Sequence, residues 1–582
     1  MSRMVMPFGP DEKTEAGKAA AAEMLKNAPD DFKVIIGENI HLEEYLLRLP
    51  LEKIGLPKYY GKLSRKLGDE RTPNLIYPSN DQGVFVHILS NAEDSRNSYI
   101  PIEPSSTRDF APLVRDVENA LLELRNDLAS FSTSTDRKKQ LNEWVSCVTS
   151  VNGMEDTVAA APEVPPGKCK KTKARKVKKI GLSRQEMDGV RYLYLRDKFG
   201  LGALQPLIAD PHIEDISCSG VGNVFIEHKV FKSLKSALVF DDADDLDRFV
   251  LWLAERIKKP ITFRNPLSDA TLPDGSRINM VFGKHISKRG SNFTIRKFAG
   301  IPTSIFELVD FGSLNYMMLA YLSLAIGNGM NVFVSGETAS GKTTLLNAVT
   351  AFIHPLAKIV TIEDTPELQV PHKNWIREVV QTTKTDDKSN AVNMFDLLRA
   401  ALRQRPNEII VGEIRGPEGN VAFQAMQTGH AVMATFHAAS VEKLIQRLTG
   451  NPISVPKTYV DNLNVVILTS MVKLPNGKMG RRVLGINEIV SYDSASDAFT
   501  FIEVFHWNEI NDTFEFPGYM TSEILENRIA PKFGVANLNK HWIYSELNRR
   551  AKILETLHKK QGITDFYAVL DVLSKAQREG LF

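Results

Sequence analysis

The residues of this chain best suited to chemistry are a lysine and a threonine at the end of a glycine-rich loop. From Gly336 to Thr343 the spacing is G-x-x-x-x-G-K-T, preceded by the apolar run 332–334 and followed by the helix-like run 344–349. Glycine admits backbone conformations that are closed to residues with a Cβ, so successive N–H groups can converge on a phosphate at a helix N-terminus. The spacing and its flanks therefore predict a site for a nucleoside triphosphate.

The loop also predicts a role for each polar residue. Lysine at this position places its ammonium on the β- and γ-phosphates, and the following threonine supplies a hydroxyl to Mg²⁺. Lys342 and Thr343 are these residues. The residues predicted to bind the nucleotide are Gly336, Glu337, Thr338, Ala339, Ser340, Gly341, Lys342, Thr343 and Thr344. The alternative is a chance turn before a helix, and the strand that precedes the loop argues against it.

Two glutamates end strand-like runs downstream of the loop. Glu363 ends the run 358–363, and Glu413 ends the run 407–413. Because ligands bind at the carboxyl ends of parallel strands, both carboxylates should face the phosphates. Hydrolysis needs one carboxylate to position the attacking water and another near Mg²⁺. We expect Glu363 to position the water, with Glu367 as its rival, and Glu413 to act as a metal ligand through water.

Two histidines flank a further strand-like run, 431–436. His430 precedes this run and His437 follows it. Three interpretations stay open for the pair: a γ-phosphate sensor with a catalytic role, a contact to an inter-domain hinge, or a satisfied histidine in the core. Neither a cysteine nor a carboxylate cluster accompanies them, which argues against metal coordination.

Composition narrows the class of protein. The chain has 582 residues, 43% of them hydrophobic and 24% charged, as in a globular protein of about three domains. Its net charge of +2 argues against a general polyanion-binding protein. Cys147, Cys169 and Cys218 are odd in number and far apart, which argues against a disulfide framework and a zinc site, so we expect a reducing compartment. The longest apolar run, 316–326, is too short to span a bilayer and predicts a core helix.

Changes of pattern along the chain predict five segments. A mixed α/β domain is expected at 1–150, a Pro/Ala-rich and then basic linker at 151–184, and a small α/β domain at 185–300. Strand–helix alternation typical of a parallel sheet predicts an α/β domain at 301–500, and a mainly helical extension follows at 501–582.

The linker holds the densest charge cluster that we find in the sequence. Eight of the twelve residues from 168 to 179 are Lys or Arg. Such a run repels itself and is typical of a solvated linker, and the alternative is a contact with anionic lipid or another acidic surface. No aromatic residues are interleaved to stack bases, so we expect no specific nucleic-acid binding.

Four ordered segments together resemble the boxes of the type II/IV secretion-system ATPases, the hexameric motors of type II secretion, type IV pili, type IV secretion and the archaellum. Residues 336–344 resemble the Walker A box, 361–368 the Asp box, 402–416 an atypical Walker B box with glutamate in place of aspartate, and 428–440 the His box. The Walker B segment and residues 440–464 are most similar to the archaeal branch, which contains the archaellum motor and the archaeal type IV pilus ATPases.

The resemblance implies a fold and two further site residues. It implies a RecA-like P-loop motor domain with a parallel-type sheet, preceded by a smaller α/β domain and an N-terminal mixed domain. Arg277 and Arg296 match family arginines of the smaller domain that approach the phosphates. A guanidinium suits this task, because it is a planar, permanently charged fork for phosphate oxygens. The alternative for each arginine is a surface salt bridge.

The function implied by the resemblance is a homo-hexameric ATPase that uses ATP and Mg²⁺ to drive assembly, or rotation, of an archaeal type IV pilus-like filament or archaellum. Its expected place is the cytoplasmic face of the membrane, and its expected partners are a polytopic membrane platform protein and filament subunits. The alternatives are a secretion motor for another substrate, a nucleic-acid translocase on a RecA-like fold, and a nucleotide switch without hydrolysis. The intact Lys342 and Thr343 and the paired glutamates argue against the switch.

Overall fold

The chain divides into two compact units, Met1–Ala299 and Gly300–Phe582, each of which is described by itself. The computed structural model describes a defined set of residues: 3–4, 15–64, 67–68, 70–81, 83–91, 94–123, 136–151, 179–298, 302–380, 392–534, 540–580 and 582. The basic run 168–179 lies outside this set except for Lys179, and its contact with lipid stays a prediction.

The first unit contains a large mixed sheet with helices around it. Its strands β1–β13 are Arg3–Met4, Lys58–Tyr59, Asn74–Pro78, Phe85–Leu89, Asn97–Ile102, Thr149–Val151, Ile180–Leu182, Ile213–Cys218, Gly222–His228, Lys232–Phe240, Leu267–Thr271, Arg277–Val281 and Asn292–Arg296. Its helices α1–α9 are Glu15–Lys26, Asp30–Glu38, Ile40–Arg48, Leu51–Ile54, Ala111–Glu123, Arg137–Val148, Arg184–Lys198, Gln205–Ala209 and Ala243–Arg256. The large sheet has the order β11-β12-β13-β8-β9-β10-β5-β4-β3-β2, β1 pairs with β10, and β6 pairs with β7 separately.

A parallel pair, β5 with β10, brings strands from the segments 1–150 and 185–300 into the same sheet. The carboxylate of Asp210 reinforces this junction, because its Oδ2 accepts hydrogen bonds from the hydroxyls of Tyr77 at 2.6 Å and Tyr99 at 2.8 Å. All three side chains are buried. The two segments therefore share a sheet and a core, and the boundary between them as separate domains stays a prediction.

The second unit is built on a sheet that is parallel in one part and antiparallel in the other. Its strands β14–β22 are Val332–Gly336, Ile359–Glu363, Trp375–Val379, Glu408–Val411, Ala431–Phe436, Val465–Lys473, Met479–Asp493, Ala498–Asn508 and Thr513–Glu515. Its helices α10–α17 are Ile305–Asp310, Tyr316–Gly327, Lys342–Val349, Met394–Arg403, Glu418–Gln427, Val441–Thr449, Lys540–Lys559 and Phe566–Arg578. The sheet has the order β16-β15-β17-β18-β14-β19-β20-β21-β22.

The strands from β16 to β19 pair in parallel, and β20 to β22 pair antiparallel beyond them. β14, which leads into the glycine-rich loop, lies between β18 and β19. Every residue of β14, β15, β17 and β18 is buried, as expected for a parallel sheet covered on both faces. This arrangement confirms the predicted α/β class with a RecA-like P-loop sheet, and it brings the ends of these four strands to one edge.

The predicted core helix 316–326 is confirmed as α11, which is buried along most of its length. The last helices, α16 and α17, pack into the same core through Leu547, Leu554 and Leu573. The C-terminal extension therefore shares its core with the sheet of the second unit, and β21 and β22 show that its first part is β structure. Across the part of the chain that the structure describes, none of the helices combines the length and the apolar character needed to cross a membrane.

Candidate nucleotide-binding site

The glycine-rich loop connects β14 to α12, and its two glycines are needed for different reasons. A Cβ on Gly336 would lie 2.2 Å from the carbonyl oxygen of Thr469 and 2.7 Å from Ser340 Oγ, so a larger residue cannot fit there. Gly341 has a φ of 91° in the left-handed region and stands immediately before α12. The loop therefore depends on one glycine for space and on the other for backbone conformation.

Lys342 holds its ammonium group inside the loop. Its Nζ donates hydrogen bonds to the carbonyl oxygens of Gly336 and Glu337, both at 2.8 Å. Burial lowers the pKa of Lys342, the negative charge of Glu413 opposes this shift, and Arg415 adds to it. The predicted phosphate ligand and the predicted metal-side carboxylate are thus near enough to interact electrostatically.

Two contacts from β19 and β20 support the loop, and sequence reasoning did not predict them. Ser340 Oγ lies 3.0 Å from Thr469 Oγ1 in β19. Arg481, in β20, donates from Nε to the carbonyl oxygen of Ala339 at 3.0 Å. Ala339 has a positive φ of 63°, so the arginine supports a strained point of the loop. The only signal in the sequence was a strand-like run more than a hundred residues downstream of the loop.

The structure brings one predicted histidine to the loop and not the other. His437 Nε2 lies 3.1 Å from Thr338 Oγ1, and its backbone carbonyl accepts a hydrogen bond from Arg447. His430 instead contacts Thr428, with Nδ1 3.1 Å from its Oγ1. The six residues of β18 separate the two histidines, so they stand about 20 Å apart along the strand. Among the interpretations left open, phosphate sensing therefore fits His437 better than His430.

Glu363 ends β15 and is held on both of its carboxylate oxygens. The residue is 1% exposed. Its Oε1 accepts the backbone N–H groups of Glu367 at 2.7 Å and Leu368 at 2.8 Å, and its Oε2 lies 3.4 Å from Arg377 Nε. Burial raises the pKa of Glu363, and these N–H groups and Arg377 act against that increase. Glu363 therefore fixes the chain after β15, while its rival Glu367 is exposed.

Glu413 lies just beyond β17 and is more open to solvent. Its Oε2 lies 2.5 Å from an Nη atom of Arg415, and its side chain is 24% exposed. Arg415, which is 65% exposed, also lies 3.6 Å from Asp364. The carboxylate is therefore oriented by a solvent-exposed arginine at the edge of the sheet where the loop lies.

Glu418 is a further residue of this edge that sequence reasoning missed. Its Oε1 accepts the backbone N–H groups of Arg415 at 2.7 Å and Gly416 at 2.6 Å. The side chain is buried at the first position of α14. It fixes the short segment that carries Glu413. An acidic residue in the first turn of a helix was the available signal.

The two arginines expected to approach the phosphates lie on the first unit. Arg277 in β12 and Arg296 in β13 are directly opposite each other in the register, and both are exposed. On its other side Arg296 is opposite Asp215, whose pKa it lowers against a larger increase from burial. The register thus places the two arginines directly opposite each other on neighbouring strands, and their approach to phosphates stays a prediction.

The residues of the second unit fit a triphosphate with Mg²⁺. The loop packs tightly against Thr469 at Gly336, and its backbone carbonyls hold the ammonium of Lys342. Thr343 stands in the first turn of α12, where a hydroxyl can serve as a metal ligand. Glu413 adds a negative charge that acts on Lys342. Backbone N–H groups, a cation and a carboxylate are the donor set that a magnesium-bound phosphate requires.

Comparisons with known proteins show which proteins the chain resembles. The family described as Type II/IV secretion system protein matches residues 197–479. The uncharacterized protein MJ0900 of Methanocaldococcus jannaschii is 39% identical over 553 residues, which cover 95% of this chain and 97% of MJ0900. The type IV secretion system protein PtlH of Bordetella pertussis is 32% identical over 275 residues, 43% of this chain and 80% of PtlH. The VirB11 ATPase structure from the Brucella suis type IV secretion system, in complex with sulphate, shows 25% identity, coverage of 49% of this chain and 91% of that chain, and a TM-score of 0.25.

The fold and the loop define a P-loop protein with a RecA-like sheet. The chain belongs to the type II/IV secretion-system ATPase superfamily, which confirms the predicted family. Its similarity to MJ0900 over nearly the whole of both chains fits the archaeal branch.

Proposed function

We propose that this chain hydrolyses ATP and uses the resulting domain motion to drive assembly of an archaeal type IV pilus-like filament or archaellum. The observation that carries the proposal is the position of Lys342, whose ammonium is held within the glycine loop and interacts with the charge of Glu413. A fixed cation beside a carboxylate suits a phosphate group with its metal ion.

Each residue of the site has a proposed role in hydrolysis. The N–H groups of the loop and Lys342 bind the β- and γ-phosphates, and Thr343 and Glu413 hold Mg²⁺, with Glu413 acting through water. Mg²⁺, when bound, neutralises phosphate charge and orients the phosphate oxygens. Glu363 positions the attacking water, and the hydrogen bonds to both of its oxygens pre-orient it. His437 responds to the γ-phosphate through Thr338.

The two paired arginines of the first unit also have a proposed role. Arg277 and Arg296 bind phosphate oxygens as negative charge develops on them, because paired guanidinium groups offer several donors in fixed geometry. Arg277 and Arg296 are cross-strand partners in β12 and β13, and this placement supports the role. Two positive charges on neighbouring strands repel each other, so an anion or solvent must offset the repulsion.

We also propose that the chain acts as a homo-hexamer at the cytoplasmic face of the membrane, with a polytopic platform protein and filament subunits as partners. The motifs of the family support this assembly. A motor that secretes another substrate is the second candidate, and the similarity to PtlH, a type IV secretion system protein, favours it. Loss of filaments or of swimming in cells that lack the gene would distinguish filament assembly from secretion.

Lys342→Ala tests the site assignment. Removing the ammonium leaves phosphate charge without its fixed counter-charge, which typically costs about a hundred- to a thousandfold in rate. Phosphate release with Mg²⁺ and ATP should fall accordingly, while circular dichroism stays unchanged. Lys552→Ala, an exposed lysine in α16, is the matched control and should keep wild-type turnover. Near-wild-type phosphate release by Lys342→Ala would contradict the proposed site, and turnover that depends on added DNA would favour a translocase.

A further inference from the structure

The first unit exposes a cluster of large apolar side chains at one end of its antiparallel strands. Phe263 is 72% exposed, Leu267 56% and Ile286 51%. The ring centroid of Phe263 lies 5.1 Å from that of Phe282 and 5.6 Å from that of His285, so residues from two loops form a single tip. Exposed apolar side chains gathered in this way are typical of an interaction site.

The two loops that carry this tip are strongly basic. Residues 257–266 and 283–290 contain no Asp or Glu. Their exposed cations are Lys258, Lys259, Arg264, Lys284, Lys288 and Arg289. Two neighbouring acids accept hydrogen bonds: Asp269 from Asn279 on the next strand at 2.7 Å, and Asp247 of α9 from Ser291, just after the second loop. We call Phe263, Leu267, Ile286 and these six cations the apolar-basic patch, and its charge is complementary to an anionic partner.

The register places the apolar-basic patch away from the two arginines proposed to act on phosphate. Leu267 is opposite Val281, at the far end of β12 from Arg277. Arg277 is opposite Arg296 at the other end of the same strands. Four residues of extended chain separate the ends, roughly 14 Å. Occupation of the patch is therefore compatible with free access to the arginines.

We propose that the apolar-basic patch docks the chain on an anionic membrane surface. Phe263, Leu267 and Ile286 enter the boundary between headgroups and acyl chains, and the lysines and arginines bind lipid phosphates. Two of the three apolar side chains, Leu267 and Ile286, are aliphatic and cannot stack on bases as Phe263 can, which favours a lipid surface over a single-stranded nucleic acid. The combination of apolar contact and basic charge gives reversible binding that weakens as salt rises.

The proposal is tested on the full chain without nucleotide, by co-sedimentation with phosphatidylcholine vesicles that contain or lack phosphatidylglycerol. The double variants Phe263→Ser/Ile286→Ser and Lys284→Gln/Lys288→Gln should each lower partitioning onto anionic vesicles by roughly tenfold. Phe263→Trp should keep wild-type binding, because an aromatic ring at the interface is retained. Lys288→Gln alone keeps the test valid if either double variant fails to fold.

Matched controls come from exposed residues elsewhere in the first unit. Val34→Ser/Leu122→Ser removes apolar side chains, and Lys53→Gln/Lys62→Gln removes charges, so both should bind vesicles as the wild type does. Phosphate release without vesicles should be unchanged in every patch variant.

Three results would overturn the proposal. Patch variants that pellet with anionic vesicles as well as the wild type would show that the patch does not bind lipid. A change in oligomer mass with unchanged vesicle binding would make the patch a contact between copies of the chain. Weaker binding to an oligonucleotide with unchanged vesicle binding would make it a nucleic-acid site.

Discussion

Two glutamates lie at the carboxyl ends of parallel strands in the second unit, and the surrounding residues hold them in different ways. Glu363 is 1% exposed and accepts hydrogen bonds from two backbone N–H groups, with Arg377 beside its second oxygen. Glu413 is 24% exposed in its side chain and is oriented by Arg415, itself largely in solvent. Glu363 is therefore a fixed part of the fold, whereas Glu413 is held by a side chain that is itself largely in solvent.

The electrostatic surroundings of the two carboxylates also differ. Burial makes the charged form of Glu363 costly and raises its pKa, and its three donors reduce that cost. Glu413 instead acts on Lys342, within the phosphate loop. We therefore assign Glu363 to a fixed, pre-oriented task and Glu413 to the changing charge at the phosphates.

Among the substitutions that test this difference, Glu363→Gln should cause the largest loss of turnover. The amide oxygen can still accept the N–H groups of Glu367 and Leu368, so the fold after β15 and the binding of ATP should persist. Without the charge, turnover should fall by about a hundred- to a thousandfold. Phosphate release, together with binding of a fluorescent ATP analogue, measures both effects.

Glu367→Gln is the matched control for Glu363→Gln, because its side chain is exposed in the same segment. It should keep turnover within about twofold of the wild type, as surface substitutions usually have small effects. The opposite pattern, loss in Glu367→Gln and activity in Glu363→Gln, would transfer the water-positioning role to Glu367.

Glu413→Gln should produce the next largest effect. Loss of the charge weakens the hold on Mg²⁺ and removes one of the two carboxylates beside Arg415, so turnover should fall by about a hundredfold. Steady-state phosphate release measures this loss. The control is Glu509→Gln, which changes an exposed glutamate of the same unit and should not alter phosphate release. Full activity in Glu413→Gln would remove Glu413 from the site.

Arg377→Met should have the smallest effect on turnover, and the size of that effect should depend on pH. Arg377 favours the ionised form of Glu363, so its loss raises the pKa of that carboxyl further. The acid limb of the pH–turnover profile should therefore move to higher pH, with a few-fold loss at acidic pH and little change at alkaline pH. Arg399→Met, an exposed arginine of α13, is the control, and a profile that does not move would show that Glu363 does not limit the acid limb.

The sequence predicted those parts of the site that depend on local chain geometry. The spacing from Gly336 to Lys342 fixes a strand, a loop and a helix in order, and each apolar run ends at the edge that the loop occupies. The sequence placed His430 and His437 at the two ends of a strand-like run but did not separate their roles, and the structure brings only His437 to the loop.

The contacts between distant segments could not be predicted in this way. Arg481 reaches Ala339 because β19 and β20 pair beside β14, and nothing near either residue encodes that contact. The hydrogen bonds to Glu363 depend on how the chain turns after β15. Hydrophobic pattern and glycine spacing therefore locate the site, while tertiary packing determines how each carboxylate is held.

The dependence of turnover on Mg²⁺ concentration in Glu363→Gln and Glu413→Gln, measured side by side, tests the division of roles most directly. If Glu413 acts through the metal, its variant should need more Mg²⁺ for half-maximal turnover and should recover part of its activity at high Mg²⁺. Glu363→Gln should show the wild-type Mg²⁺ requirement with a uniformly low rate. A raised requirement in Glu363→Gln, with none in Glu413→Gln, would contradict the account.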